Sequence, residues 1–201
     1  MTLSQYATRS TSFENVARWW TVFIISAVGV IALLGWAIDY PIAYKYLAAA
    51  VSMKPITAFS SIIAAIVLTV KEPWKSKLGL VLLGIMGCLI LQYASALFLT
   101  SPAPDATQNY TAFDNYPSWF TIVVFSLFIY CTQCSTCAVK GGRIILGIAI
   151  ASGLGHATDC PLLYGYVEGL STGLSAPTSL VALHLGAWMV KAVGRDEHVK
   201  D

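Results

Sequence analysis

Charge is scarce in this chain. Lys, Arg, Asp and Glu make up 11% of its 201 residues and 57% are hydrophobic, whereas an average soluble protein is about 25% charged. So short a soluble chain cannot hide that much apolar surface, and a lipid bilayer is the solvent that fits. A net charge of +2 gives no reason to expect a nucleic-acid partner. The five cysteines are odd in number, with three crowded between Cys131 and Cys137, which excludes the paired framework of a small secreted domain. A phosphate loop, a Ser-His-Asp set and a His-Glu-x-x-His zinc sequence are all missing, so no enzyme is expected. The interiors of the apolar runs lack Asp, Glu and Lys, which disfavours a small ion-coupled transporter.

What is present is a repeated way of starting helices. Met53-Lys54-Pro55-Ile56-Thr57-Ala58-Phe59 opens an apolar run that meets no charge until Lys71. Proline suits the first turn of a helix, where the N–H that it lacks has no partner anyway. The device returns at Pro117 and Pro177, with spacings of 117 − 55 = 62 and 177 − 117 = 60 residues. A near-constant period is the mark of internal repetition. Each such run follows another long apolar run, which predicts an all-α integral membrane bundle built as three helical hairpins.

The spans are predicted at 19–40, 55–70, 78–100, 118–139, 144–164 and 177–193. Residues 1–18, with a capping box at Thr11-Ser12-Phe13-Glu14, precede this six-helix domain, and 194–201 form a charged tail. Lys71 to Lys77 and Lys140-Gly141-Gly142-Arg143 read as tight polar turns. The two ends and these turns hold Arg9, Arg18, Lys71, Lys75, Lys77, Lys140, Arg143, Lys191, Arg195 and Lys200, against Lys45 and Lys54 on the other side. Cytoplasmic loops carry the excess of Lys and Arg, so both termini are placed in the cytoplasm of a multi-pass cell-membrane protein. Trp19, Trp20 and Trp74 then lie at the inner interface, and Trp36, Trp119 and Tyr164 at the outer one.

Met53-Lys54-Pro55-Ile56-Thr57-Ala58-Phe59 and Leu174-Ser175-Ala176-Pro177-Thr178-Ser179-Leu180 resemble the M-x-P-x-T-A helix starts of bacterial membrane-embedded sensory input domains. These are the multi-helix regions found ahead of PAS, histidine-kinase or diguanylate-cyclase modules. Pro161-Leu162-Leu163-Tyr164-Gly165 is similar to a segment common there. The resemblance implies a non-enzymatic sensory or accessory subunit in a bacterial inner membrane. With no output module in this sequence, such a subunit is expected to act through contact with another membrane or cytoplasmic protein.

Few side chains in the spans can ligate. His156 and His184 fall at similar depths on neighbouring antiparallel helices by the predicted boundaries, so they are candidate haem ligands; the alternative is hydrogen bonding between helices. This gives the rival reading of a haem- or metal-binding electron-transfer protein, although no cofactor is the leading expectation. Cys131, Cys134 and Cys137 form a C-x2-C-x2-C run that suits a metal or redox centre. On an unbroken helix, however, the three thiols diverge, and soft packing is the alternative. Gly147, Ala151 and Gly155 recur every fourth residue, which predicts a small-residue face for close helix packing.

Overall fold

The computed structural model describes residues 3–45, 52–99, 117–164, 166–167 and 171–193. Among them are seven α-helices: α1 (Leu3–Ala37), α2 (Pro41–Lys45), α3 (Pro55–Thr69), α4 (Trp74–Leu99), α5 (Trp119–Gln133), α6 (Ser135–Thr158) and α7 (Ala176–Val193). A 3-10 turn, Pro161–Tyr164, and a minimal antiparallel pair, β1 (Tyr166–Val167) with β2 (Ser171–Thr172), lie between α6 and α7. The loop from 101 to 116, Glu168 and the tail from 194 are outside the described residues.

Three helices are long and apolar enough to cross a membrane: Asn15–Ala37 of α1, Trp74–Gln92 of α4 and Cys137–Thr158 of α6. α3 and α5 are shorter apolar helices. Large apolar side chains such as Phe23, Leu34, Leu80, Leu91 and Leu154 stand exposed on the outside. Phe125, Phe128, Leu82, Met86, Ile25, Ile145 and Leu185 fill the inside. A helix that is apolar on its outward face as well as its inward one belongs in lipid.

α6 packs most extensively on α7 and α1 next on α3, which sets apart a first and a last hairpin; between them α4 packs on α5, although α5 packs more fully on α6. Successive hairpins also touch through α3–α4 and α5–α6, and α7 returns to α1. The bundle is therefore a closed ring.

The helix limits follow from local chemistry. No Pro or Gly interrupts the chain before Gly29, so α1 starts at Leu3 and runs straight through the expected capping box at 11–14. It stops short of Tyr40 because Asp39 turns left-handed, with φ 53°, and Pro41 follows. α4 begins at Trp74, four residues before the predicted Leu78, directly after Pro73.

The largest departure is at the next corner. The predicted spans 118–139 and 144–164 are instead divided at Cys134, whose backbone is extended at φ −122°, ψ 100°. Lys140-Gly141-Gly142-Arg143 is not a turn; it lies within α6. Its glycines serve close approach. A Cβ on Gly142 would come within 2.8 Å of Met189 Cβ and 3.0 Å of the Val190 nitrogen, and one on Gly141 would strike Cys131 Sγ.

Candidate functional site

The ends of the first and third hairpins are built alike. At the end of α1, the Trp36 Nε1–H donates to the Met53 carbonyl at 2.7 Å. The Met53 N–H in turn donates to the Tyr44 carbonyl at 2.8 Å, and the Trp36 and Tyr44 rings stack at 4.3 Å. At the end of α6, His156 Nε2 lies 2.8 Å from the Leu174 carbonyl. The Leu174 N–H donates to the Tyr164 carbonyl at 2.6 Å, and the His156 and Tyr164 rings stack at 4.5 Å, 2° from parallel. Each is an aromatic clamp that holds the residue before the following helix's cap.

The likeness extends through the backbone. Asp39 and Asp159 are left-handed at φ 53° and 54°. Tyr40 N–H donates to the Gly35 carbonyl, as Cys160 N–H does to that of Gly155. A Cβ on Gly35 would meet Ala43 Cβ and the Tyr40 carbonyl, and one on Gly155 would meet Leu163 Cβ and the Cys160 carbonyl. The sequence signal is Gly-x-Ala-x-Asp-x-Pro-x-x-Tyr, at 35–44 and again at 155–164, an offset of 156 − 36 = 120 residues.

The helix starts repeat too, but not through proline. Pro55 follows its cap Lys54 directly, Pro177 stands two places after its cap Ser175, and Pro117 precedes its cap Ser118. The constant element is a buried threonine three places into each helix: Thr57, Thr121 and Thr178. In the second and third starts the cap serine accepts from the threonine N–H, both at 3.3 Å, and the two hydroxyls are 3.2 and 2.6 Å apart. This satisfies an N–H that the helix itself cannot.

The two clamped hairpins differ in polarity. Ser152 and Ser179 bond through their hydroxyls at 2.7 Å across α6 and α7, both buried. Their counterparts in the first hairpin, Ala32 and Ala58, are buried alanines. Trp36 is matched by His156. The exchange runs both ways, since the buried Ser60 and Ser61 of the first hairpin stand where the third has Val181 and Ala182. His156 and Ser179 border a cavity of about 250 Å³ together with Gly153, Ala149, Leu180 and Leu183. The imidazole makes this bond through Nε2 and keeps Nδ1 for a second hydrogen bond, which the indole of Trp36 has no atom to make.

His184 does not join His156. Gly186 packs against Leu146 and Gly142, Ser179 against Ser152 and Leu174 against His156. That register puts the half-buried His184 level with Gly147, about nine residues or 13 Å from His156 along α6. The equal depths expected from sequence relied on α6 reaching Tyr164, whereas it ends at Thr158.

The cysteines meet at the α5–α6 corner because the helix breaks there. Cys134 and Cys137 sulfurs are 3.3 Å apart, while Cys131 Sγ turns to the Cys137 carbonyl at 3.3 Å. Among the described residues, no group of three His, Cys, Asp or Glu is arranged to hold a metal ion. Gly147 and Ala151 do not form the expected close-packing face. Space beside Gly147 is open, and both residues line a cavity of about 280 Å³. Close helix contact falls instead at Gly142 and Gly186. No protein family, curated protein or solved structure matches this chain.

Proposed function

We propose that the protein is a non-enzymatic sensory or accessory subunit of the cell membrane. In this reading six helices cross the bilayer with both ends cytoplasmic, and the protein works through contact with another membrane or cytoplasmic protein. The observation that carries the sensory part is the divergence of the two clamped hairpins. The first keeps an apolar set, Trp36, Ala32 and Ala58. The third places His156, Ser152 and Ser179 at the matching points, and of these His156 and Ser179 border a cavity. The first acts as scaffold and the third receives the signal.

A route from signal to output follows from the clamp. His156 ties the end of α6 to the start of α7 through Leu174. A small hydrogen-bonding ligand captured at Nδ1 shifts the ring, and the displacement passes through Leu174 to α7. The other end of α7 carries Trp188 and Lys191, on the side where Arg18, Lys71, Lys75 and Lys77 also collect, as the positive-inside rule asks of a cytoplasmic face.

The test compares wild type with His156→Trp, which installs the scaffold residue of the first hairpin. Purification from native membranes is expected to bring down a stoichiometric partner. The variant is expected to fold and to keep that partner while losing its response to added ligand. A partner-free protein that turns over a substrate overturns the proposal.

A further inference from the structure

At the opposite end of the bundle from the clamps, α1 and α7 part to leave a cavity of about 350 Å³. Asn15, Arg18, Thr21, Trp188 and Lys191 line it. Two of these side chains are cationic and two are neutral hydrogen-bonding groups, while the alanines and the indole supply an apolar wall. Arg18 holds Asn15 Oδ1 through one terminal nitrogen at 3.3 Å, and its guanidinium lies 6.0 Å from the Trp19 ring centre. Its Nε is buried and has no hydrogen-bond partner among the described residues. A buried guanidinium N–H without an acceptor is costly. An oxyanion in the cavity would stand against the Arg18 guanidinium and the Lys191 ammonium, and the planar fork of arginine suits phosphate in particular.

We infer that this cavity binds the phosphate head group of an anionic phospholipid. Depth favours a lipid over a free ion. The apolar span of α1 begins at Asn15, so Arg18 sits in its first turn, beside the exposed rings of Trp19 and Trp20. Indole rings of this kind mark the head-group level of a membrane. Ala187 and Trp188 lie about one turn deeper along α7 than Lys191 and give the cavity an apolar wall on the hydrocarbon side, where an acyl chain would run. Basic pockets between membrane helices hold anionic head groups by the same combination of charge and depth. The occupant also bridges the first and last helices, the contact that closes the ring. The inference requires only a membrane-embedded bundle and is independent of the sensory reading.

The experiment uses the full chain in a neutral detergent. Thermal unfolding and native mass spectrometry are read with added phosphatidylglycerol, with phosphatidylcholine, and with millimolar inorganic phosphate. Phosphatidylglycerol is expected to raise the unfolding midpoint and to remain bound, while the other two leave both unchanged. Arg18→Gln is expected to weaken retention about tenfold, the loss of one charge-assisted hydrogen bond. Arg18→Lys is expected to recover part of it, and Lys75→Gln, which removes a charge at the same end outside the cavity, to retain it fully. Equal effects of the two lipids overturn the inference, as does Arg18→Gln retaining phosphatidylglycerol like the wild type. Stabilisation by inorganic phosphate alone assigns the site to a free anion and overturns the lipid. Should Arg18→Gln fail to fold, the comparison of the three additives on the wild type still decides the matter.

Discussion

Trp36 and His156 stand at equivalent points of two duplicated hairpins, each with a ring nitrogen 2.7 or 2.8 Å from the carbonyl of the residue that precedes the next helix's cap. An indole N–H is a permanent donor. An imidazole makes the same bond and keeps a second nitrogen in reserve. The duplication therefore supplies an internal control: the fold tolerates either ring, and the difference between them is chemical.

Removing either ring should cost similar stability. Trp36→Ala and His156→Ala each delete a hydrogen bond and a ring stack, which together are worth about 2 kcal/mol. His156→Trp should cost less than His156→Ala. Denaturant titration of the purified protein in detergent micelles measures all three, and a neutral Trp36→Ala would show that the clamp does not hold the hairpin.

Glycine substitutions should separate true close contacts from open space. A Cβ on Gly186 would come within 2.7 Å of the Leu146 nitrogen, a backbone atom that cannot step aside, whereas nothing lies within 4 Å of one on Gly147. Gly186→Ala should destabilise by about 1–3 kcal/mol. Gly147→Ala should be neutral within about 0.5 kcal/mol. Equal effects in the same unfolding assay contradict the register of α6 on α7.

The thiol corner should oxidise selectively. Cys134 and Cys137 sulfurs are 3.3 Å apart, while Cys131 faces a backbone carbonyl. With a dipyridyl disulfide as oxidant, the two thiols should form one protein disulfide and release two thiopyridones. Peptide mapping should find the 134–137 bond in wild type and equally in Cys131→Ser. A 131–137 bond as the main product would refute the corner's geometry.

The separation of His156 and His184 bears on colour. Rings about 13 Å apart along the bundle do not share one iron between them. Protein from haem-supplied cells should show no Soret band, and a band lost on replacing both histidines singly would contradict the register.

Orientation is open to a direct measurement. A reporter active only in the cytoplasm should give signal when fused after Asp201 and none when inserted between 101 and 116. The reverse pattern would invert the arrangement.

Much of the bundle was legible in the sequence because membrane helices announce themselves by long uncharged runs. Pro55 and Pro177 stand where helices start, and the packing of α1 on α3 and of α6 on α7 follows from run spacing. The corner at Cys134 was hidden, since Lys140-Gly141-Gly142-Arg143 has the composition of a turn; only the neighbouring Met189 and Cys131 reveal that its glycines serve packing. Proline spacing pointed to repetition through the wrong residue. Thr57, Thr121 and Thr178 hold the constant place, while proline precedes it by two, four and one positions in turn. The clamps were readable in Gly-x-Ala-x-Asp-x-Pro-x-x-Tyr at 35 and 155, although that pattern says nothing of the carbonyl that each ring holds. The apparent pairing of His156 with His184 came from extending α6 past Thr158.

The lengths of α3 and α5 have a consequence for the surrounding lipid. Each has 15 residues, about 22 Å of helix, against a hydrocarbon thickness of about 30 Å. Both pack against the 26-residue α4, so short and long helices alternate around the ring, α3 between α1 and α4 and α5 between α4 and α6. In the proposed six-span reading, tilting lengthens no helix, and a bilayer meeting either short helix pinches inward there, at a cost of fractions of a kcal/mol per Å. The two notches beside α4 are then where thin lipid, or a short helix of a neighbour, fits at least cost.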